Sequence, residues 1–241
     1  MKQKKYRIAG VNFDHMHMGD LLRQVAEAEN TEIAGICHRD TAAMQEVIEN
    51  FSISEEKVFT DVDTCLESTR PDIVICCPST GDHADAVVEV VKHDVHVLVE
   101  KPFAADLAGA DRMIAAIKEK GNQLMINWPL RWYAPHVTTY RMISEGQLGD
   151  VLEVHYYDGN RGPLRHGADK IEKSSGKKAE SWFYQKAEAG GSMHDYLGYG
   201  VTLGTWYHGG KAPIEVTAMV DEPQGLEVDE HSVTIARYDT G

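Results

Sequence analysis

Between residues 6 and 126, short apolar runs alternate with segments whose apolar residues recur every three or four positions. This rhythm leaves few folds open, because strand, helix and strand in succession build a parallel sheet covered on both faces. Strands are expected over residues 6–11, 32–37, 57–60, 72–77, 95–100 and 123–126. Helices are expected over 18–28, 41–50, 82–93 and 106–120, the first with Leu21, Leu22, Val25 and Ala26 on one side. The fold class is therefore α/β, a doubly wound parallel sheet occupying residues 1–126.

Beyond residue 126 the texture changes. Asn127-Trp128-Pro129-Leu130-Arg131-Trp132 leads into a helix reaching about residue 145. Residues 151–157, 214–220 and 232–238 alternate like longer strands with no helix between each pair. That pattern predicts an α+β second domain over 127–241 with an open, mostly antiparallel sheet. Only Asp239-Thr240-Gly241 follows the last strand, so the sheet is expected to be incomplete at its C-terminal end or covered by a partner subunit. The polar stretch 161–181, with Arg161, Arg165, Lys170, Lys173, Lys177 and Lys178, reads as a solvated loop rather than a lid.

A net charge of −14 argues against a nucleic-acid partner, since phosphate backbones require clustered Lys and Arg. A neutral or polar small molecule fits better. Cys37, Cys65, Cys76 and Cys77 fall mostly inside apolar strands rather than at metal or disulfide spacings, which points to a reducing compartment. No signal peptide or membrane span is visible, so a cytoplasmic protein is expected.

In an open parallel sheet, ligands bind beyond the carboxyl ends of the strands. The first such end, Gly10-Val11-Asn12-Phe13-Asp14-His15, keeps the opening glycine of a dinucleotide fingerprint but has Asn12 and His15 at the other two positions. Asn tolerates left-handed backbone, so the turn survives that change more easily than it survives His15. His15 and His17 also form an H-x-H pair; with no carboxylate or cysteine at ligand spacing in the sequence, no metal is expected. After the second strand, His38-Arg39 stands where an acidic residue would bind the ribose of NAD. Arg39 suits a 2′-phosphate, a slight lean to NADP over NAD, although a surface arginine is the plainer reading. Pro78 and Ser79 close the fourth strand and His83 lies in the next helix. The fifth strand stops at Glu100-Lys101-Pro102, an apolar run ending in a charged pair. In the second domain, Gly190-Gly191 precedes Asp195 and Tyr199, whose spacing of four puts a carboxylate and a phenol on one helical face while His194 points away. Lys, Asp and Tyr can together exchange a hydroxyl proton and orient a sugar-like molecule.

Glu100-Lys101-Pro102, Asn127 to Arg131, and Gly190-Gly191 followed by Asp195 resemble the motifs of the Gfo/Idh/MocA family across nearly the whole chain. The resemblance implies a Rossmann dinucleotide-binding domain followed by an α/β substrate-binding domain whose open sheet forms homodimers or homotetramers. It implies that Lys101 is the catalytic acid/base and that Asp195 and Tyr199 hold the substrate. Gly10, Asn12, His15, His38, Arg39, Pro78, Ser79, His83, Glu100, Lys101, Asn127 and Arg131 become the cofactor-binding candidates. Tyr rather than His at position 199 resembles the glucose–fructose oxidoreductase and dimeric dihydrodiol dehydrogenase branches, which use NADP. The implied activity is an NAD(P)-dependent oxidoreductase acting on a sugar, polyol or related cyclic alcohol. Two alternatives stay open: a glycoside hydrolase or lyase that oxidises its substrate transiently with retained NAD, and a catalytically dead sensor of cofactor or sugar.

Overall fold

The computed structural model of the protein describes residues 4–159 and 178–239. The chain divides into two compact units, residues 1–127 and 128–241. In the first, six parallel strands form one sheet: β1 (Tyr6–Phe13), β2 (Thr31–Cys37), β3 (Val58–Phe59), β4 (Ile73–Cys77), β5 (His96–Glu100) and β6 (Leu124–Asn127). Their order is β3-β2-β1-β4-β5-β6, so the chain winds outward from β1 and then returns to lay β4 on its other side. The β1/β4 boundary is the point where winding reverses, and it opens a crevice at the strands' carboxyl ends.

Two-residue periodicity divides each strand between two cores. Val74 and Cys76 of β4 join Val97, Val99 and the buried sides of α3 (Val62–Thr69), α4 (His83–Val90) and α5 (Leu107–Lys120). Ile75 and Cys77 face the opposite way, onto Met18 and Leu22 of α1 (His17–Glu27) and Val47 of α2 (Gln45–Phe51). Leu22 is fully buried, and such a side chain contributes about 1.5–3 kcal/mol by leaving water. All four cysteines are buried and free.

The expected helix over 41–50 opens instead as a 3₁₀ turn, Thr41–Met44, before α2 begins. Helix α3 was not expected. It is short, but Asp61 caps it by accepting from the Thr64 amide at 2.8 Å, and its buried Cys65 and Leu66 make an apolar stripe too narrow to show as a period.

The second unit contains α6 (Ala134–Ser144), α7 (Ser192–Tyr207) and a hairpin of β7 (Glu215–Val220) antiparallel to β8 (Ser232–Arg237). Residues 151–157, expected as a strand, belong to no strand or helix. Alternation makes a segment suitable for a sheet, but a strand exists only where a neighbour completes its hydrogen bonds, and the described sheet here has two strands. Val216, Met219, Val233 and Ile235 on the hairpin are exposed. The loop expected over 161–181, with Arg161, Arg165, Lys170, Lys173 and Lys177, lies outside the described residues save for its last few; Lys178 is described and pairs with Glu230. Among the described residues, no helix is long and apolar enough to cross a membrane.

Candidate functional site

The β1–α1 turn carries the first group of candidates. Gly10 lets α1 lie close on β1: a Cβ there would stand 3.0 Å from Met18 Sδ and 3.3 Å from Leu22 Cδ1. Asn12 adopts φ +64°, the left-handed conformation that a fingerprint glycine supplies. His15 is buried; its amide donates to the Cys77 carbonyl at 3.1 Å, and its Nδ1 accepts the His17 amide at 3.2 Å. A left-handed turn at the point where the sheet reverses fits a dinucleotide, with an imidazole in place of the bare backbone of the third glycine.

At the end of β2, His38 is buried and its Nδ1 accepts the Phe13 amide at 3.1 Å, which ties β2 to the turn after β1. Burial pushes its pKa below the ordinary histidine value, against an opposing effect of Asp14. Arg39 is 80% exposed, with Nη2 3.7 Å from Asp14 Oδ1. So exposed an ion pair stabilises by at most about 1 kcal/mol, which leaves the guanidinium free to exchange Asp14 for a better anion. Ser79 is buried after β4. His83, also buried, places Nδ1 3.3 Å from the Phe103 carbonyl and so links α4 to the segment after β5. Pro78 precedes it at the end of β4, and burial pushes the His83 pKa down.

The end of β5 is the most enclosed part of the site. Glu100 is 0% exposed and Lys101 1%, and the Lys101–Pro102 peptide is cis. Both oxygens of Glu100 are occupied: Oε1 accepts from His17 Nδ1 at 3.0 Å and Oε2 from Asn127 Nδ2 at 2.8 Å. Burying a carboxylate is unfavourable unless such bonds are made, and here two elements, α1 and β6, supply them. The structure thus brings His15, His17, Glu100 and Asn127 together, and gives the H-x-H pair the carboxylate that the sequence spacing had not offered.

In the second unit, Asp195 and Tyr199 are buried on one face of α7 while His194 is exposed, as their spacing requires. The preceding glycines have separate causes. A Cβ on Gly190 would lie 2.4 Å from the Phe183 carbonyl oxygen; Gly191 has φ +103° and ψ 156°, and a Cβ there would meet Asp229 Oδ1 at 2.6 Å. Asp229 then caps the helix, its Oδ2 accepting the Met193 amide at 2.8 Å and its carbonyl the Ser192 amide at 3.0 Å. Burial raises its pKa, partly offset by the Met193 amide. The Tyr199 ring meets Trp128 edge to face at 5.8 Å and Tyr156 at 6.4 Å. Gly198 makes room for Trp128, whose Cη2 is 2.3 Å from where a Cβ would be. Arg131, expected at a cofactor, has its guanidinium 3.9 Å over the Trp206 ring. Sequence reasoning missed Asp229 as the helix cap and Tyr156 as a neighbour of Tyr199; neither carries a local signal, since each is remote in sequence from what it touches.

A six-stranded parallel sheet in this order, with a left-handed turn at its reversal point and an α+β unit following it in the sequence, defines an α/β dinucleotide-binding protein. Family models match the chain as the oxidoreductase family with an NAD-binding Rossmann fold over residues 4–128 and the Gfo/Idh/MocA C-terminal domain over 136–241. The chain belongs to the Gfo/Idh/MocA oxidoreductase family. Glycosyl hydrolase family 109 protein 1 of Akkermansia muciniphila is 27% identical over 212 residues, 83% of this chain and 42% of that protein. The inositol 2-dehydrogenase of Salmonella typhimurium is 27% identical over 149 residues, 61% of this chain and 44% of its own. The chain therefore spans less than half the length of these curated relatives. The crystal structure of the WlbA dehydrogenase from Bordetella pertussis, in complex with NADH and UDP-GlcNAcA, superposes with a TM-score of 0.80 at 18% identity, covering 100% of this chain and 66% of that one. At that identity the likeness shows the fold.

Proposed function

We propose that the protein is an NAD(P)-dependent oxidoreductase acting on a CH–OH group of a sugar, polyol or related cyclic alcohol, with Lys101 as the acid/base. The observation that carries this reading is a fully enclosed lysine at the carboxyl end of β5, beside a carboxylate whose oxygens are both held. When bound, the nicotinamide supplies a hydride acceptor. As the carbon gives up its hydride, the hydroxyl proton would pass to Lys101 Nζ, leaving a carbonyl; reduction would reverse both transfers. Glu100, fixed by His17 and Asn127, holds the strand end in place. Gly10, Asn12 and His15 form the turn for the pyrophosphate, His38 and Arg39 the ribose end, and Pro78, Ser79 and His83 the neighbouring wall. Arg131 is assigned to the cofactor by motif alone, because its cation–π contact already accounts for it. In the second unit, Asp195 and Tyr199 bind substrate hydroxyls.

The test is Lys101→Met. A screen of sugars and polyols for NAD(P)H formation finds a substrate, and the variant should then retain nucleotide binding while losing on the order of 10²–10⁴ in turnover. A loss within about threefold, in a variant with a native circular dichroism spectrum, would leave Lys101 as a strand-end cation. The likeness to the Akkermansia protein favours a second reading, glycoside cleavage through transient oxidation with retained NAD. Cleavage of a glycoside with no net NAD(P)H formed would select it. A small-molecule substrate and self-association through the exposed β7–β8 hairpin complete the proposal.

A further inference from the structure

One ring nitrogen from each of His15 and His17 and a carboxylate oxygen of Glu100 all lie within 4.8 Å of one another. His17 opens α1, His15 lies two residues before it and Glu100 ends β5, so the group is brought together from two elements of the sheet unit rather than by one loop. We propose that His15, His17 and Glu100 form a binding site for a borderline divalent cation of the zinc type.

The donor set selects the class. Two imidazoles and one carboxylate suit zinc, cobalt or ferrous iron, whereas magnesium and calcium take oxygen ligands. Bonds of about 2.0–2.2 Å in tetrahedral geometry separate ligand atoms by roughly 3.4 Å. His17 Nδ1 and Glu100 Oε1 are 3.0 Å apart already, and the cation takes the place of the proton they share. Small rotations of the His15 ring, which stands 4.3 Å from the His17 ring centroid, close the remaining separation. The outer shell is present too: Asn127 Nδ2 holds the second carboxylate oxygen at 2.8 Å, the kind of contact that orients a ligating carboxylate. Three protein ligands leave a coordination position for water or an anionic ligand oxygen.

Zinc itself is the probe, titrated by calorimetry into the metal-stripped full chain. The expected result is one tight equivalent per chain, weakened by roughly tenfold or more in His17→Asn and in Glu100→Gln, and by about 10–100-fold in Asn127→Ala. His93→Ala, which removes an exposed histidine paired with Asp63, should leave the affinity unchanged. Cobalt substitution gives an independent readout, visible d–d absorption of a low-coordinate nitrogen and oxygen site that each ligand variant alters. Urea midpoints of the variants show whether each folds; if Glu100→Gln does not, His17→Asn carries the test, because its side chain is partly exposed. Absence of a stoichiometric zinc, or equal weakening in His93→Ala and His17→Asn, would overturn the site.

Discussion

Replacing Gly191 by alanine should destabilise the second unit through backbone strain and overpacking together. At φ +103° and ψ 156°, Gly191 occupies a region almost closed to other residues, and holding an L-residue there costs about 1–3 kcal/mol. The new Cβ would stand 2.6 Å from Asp229 Oδ1 and 3.1 Å from Val228 Cβ, an overpacking cost of about 1–3 kcal/mol. These overlap, because a backbone shift relieves both, so the expected loss is about 2–5 kcal/mol. The assay is urea unfolding followed by tryptophan fluorescence. All four tryptophans, Trp128, Trp132, Trp182 and Trp206, belong to residues 128–241, so the signal reports on this unit alone. With a slope of about 2 kcal/mol per molar urea, the midpoint should fall by about 1–2.5 M. Gly209→Ala is the control: it shares a positive φ, +72°, but its Cβ would meet nothing within 4 Å, leaving backbone strain of about 1 kcal/mol. If Gly191→Ala shifts the midpoint no more than Gly209→Ala, the account of the glycine pair given above is wrong.

Arg39→Ala should weaken NADP binding more than NAD binding, by about 1–3 kcal/mol; calorimetric titration showing equal losses, or a wild-type preference for NAD, would remove the NADP reading. Light scattering at micromolar concentration should find a dimer or larger, since a lone monomer would leave the apolar side chains of β7 and β8 in water. Stability should also fall in mild acid. His38 and His83 have depressed pKa values in the folded chain, so below the unfolded value of about 6.5 the unfolded state binds more protons, and their contribution, complete above that pH, is lost as pH falls through it. His38→Asn keeps an acceptor for the Phe13 amide without a titrating ring, and its urea midpoint should fall less between about pH 7.5 and 5.5; identical slopes for both proteins would refute this.

The first unit was legible in the sequence because its strands are buried on both sides and its helices on one, and burial imprints a period on residue choice. Helix α3 escaped because its two buried apolar side chains, Cys65 and Leu66, are too few to define one. Residues 151–157 misled for the converse reason: alternation records which side of a segment is apolar, whereas a ladder needs a neighbour. At the site, Glu100-Lys101-Pro102 announced itself as charge at the end of an apolar run. What holds Glu100 did not, since His17 lies 83 and Asn127 27 positions away. Likewise the Gly190-Gly191 pair was visible, but its cause, Phe183 and Asp229 pressed against the backbone, is a fact of three dimensions.

Helix α7 carries three glycines, at 198, 200 and 204, against which Trp128, Tyr156 and Tyr238 lie. Each forfeits about 1 kcal/mol of helix stability relative to alanine, so chance alone should favour their replacement. Yet a methyl on Gly198 meets the Trp128 ring at 2.3 Å, while a smaller side chain at 128 would clear the space first. The two positions can therefore change in one order only: the ring must shrink before the glycine can be filled. Because that ring also abuts Tyr199, a lineage that takes the step loosens the phenol before it regains the helix. Diversification of this helix has a direction, set by a single close contact.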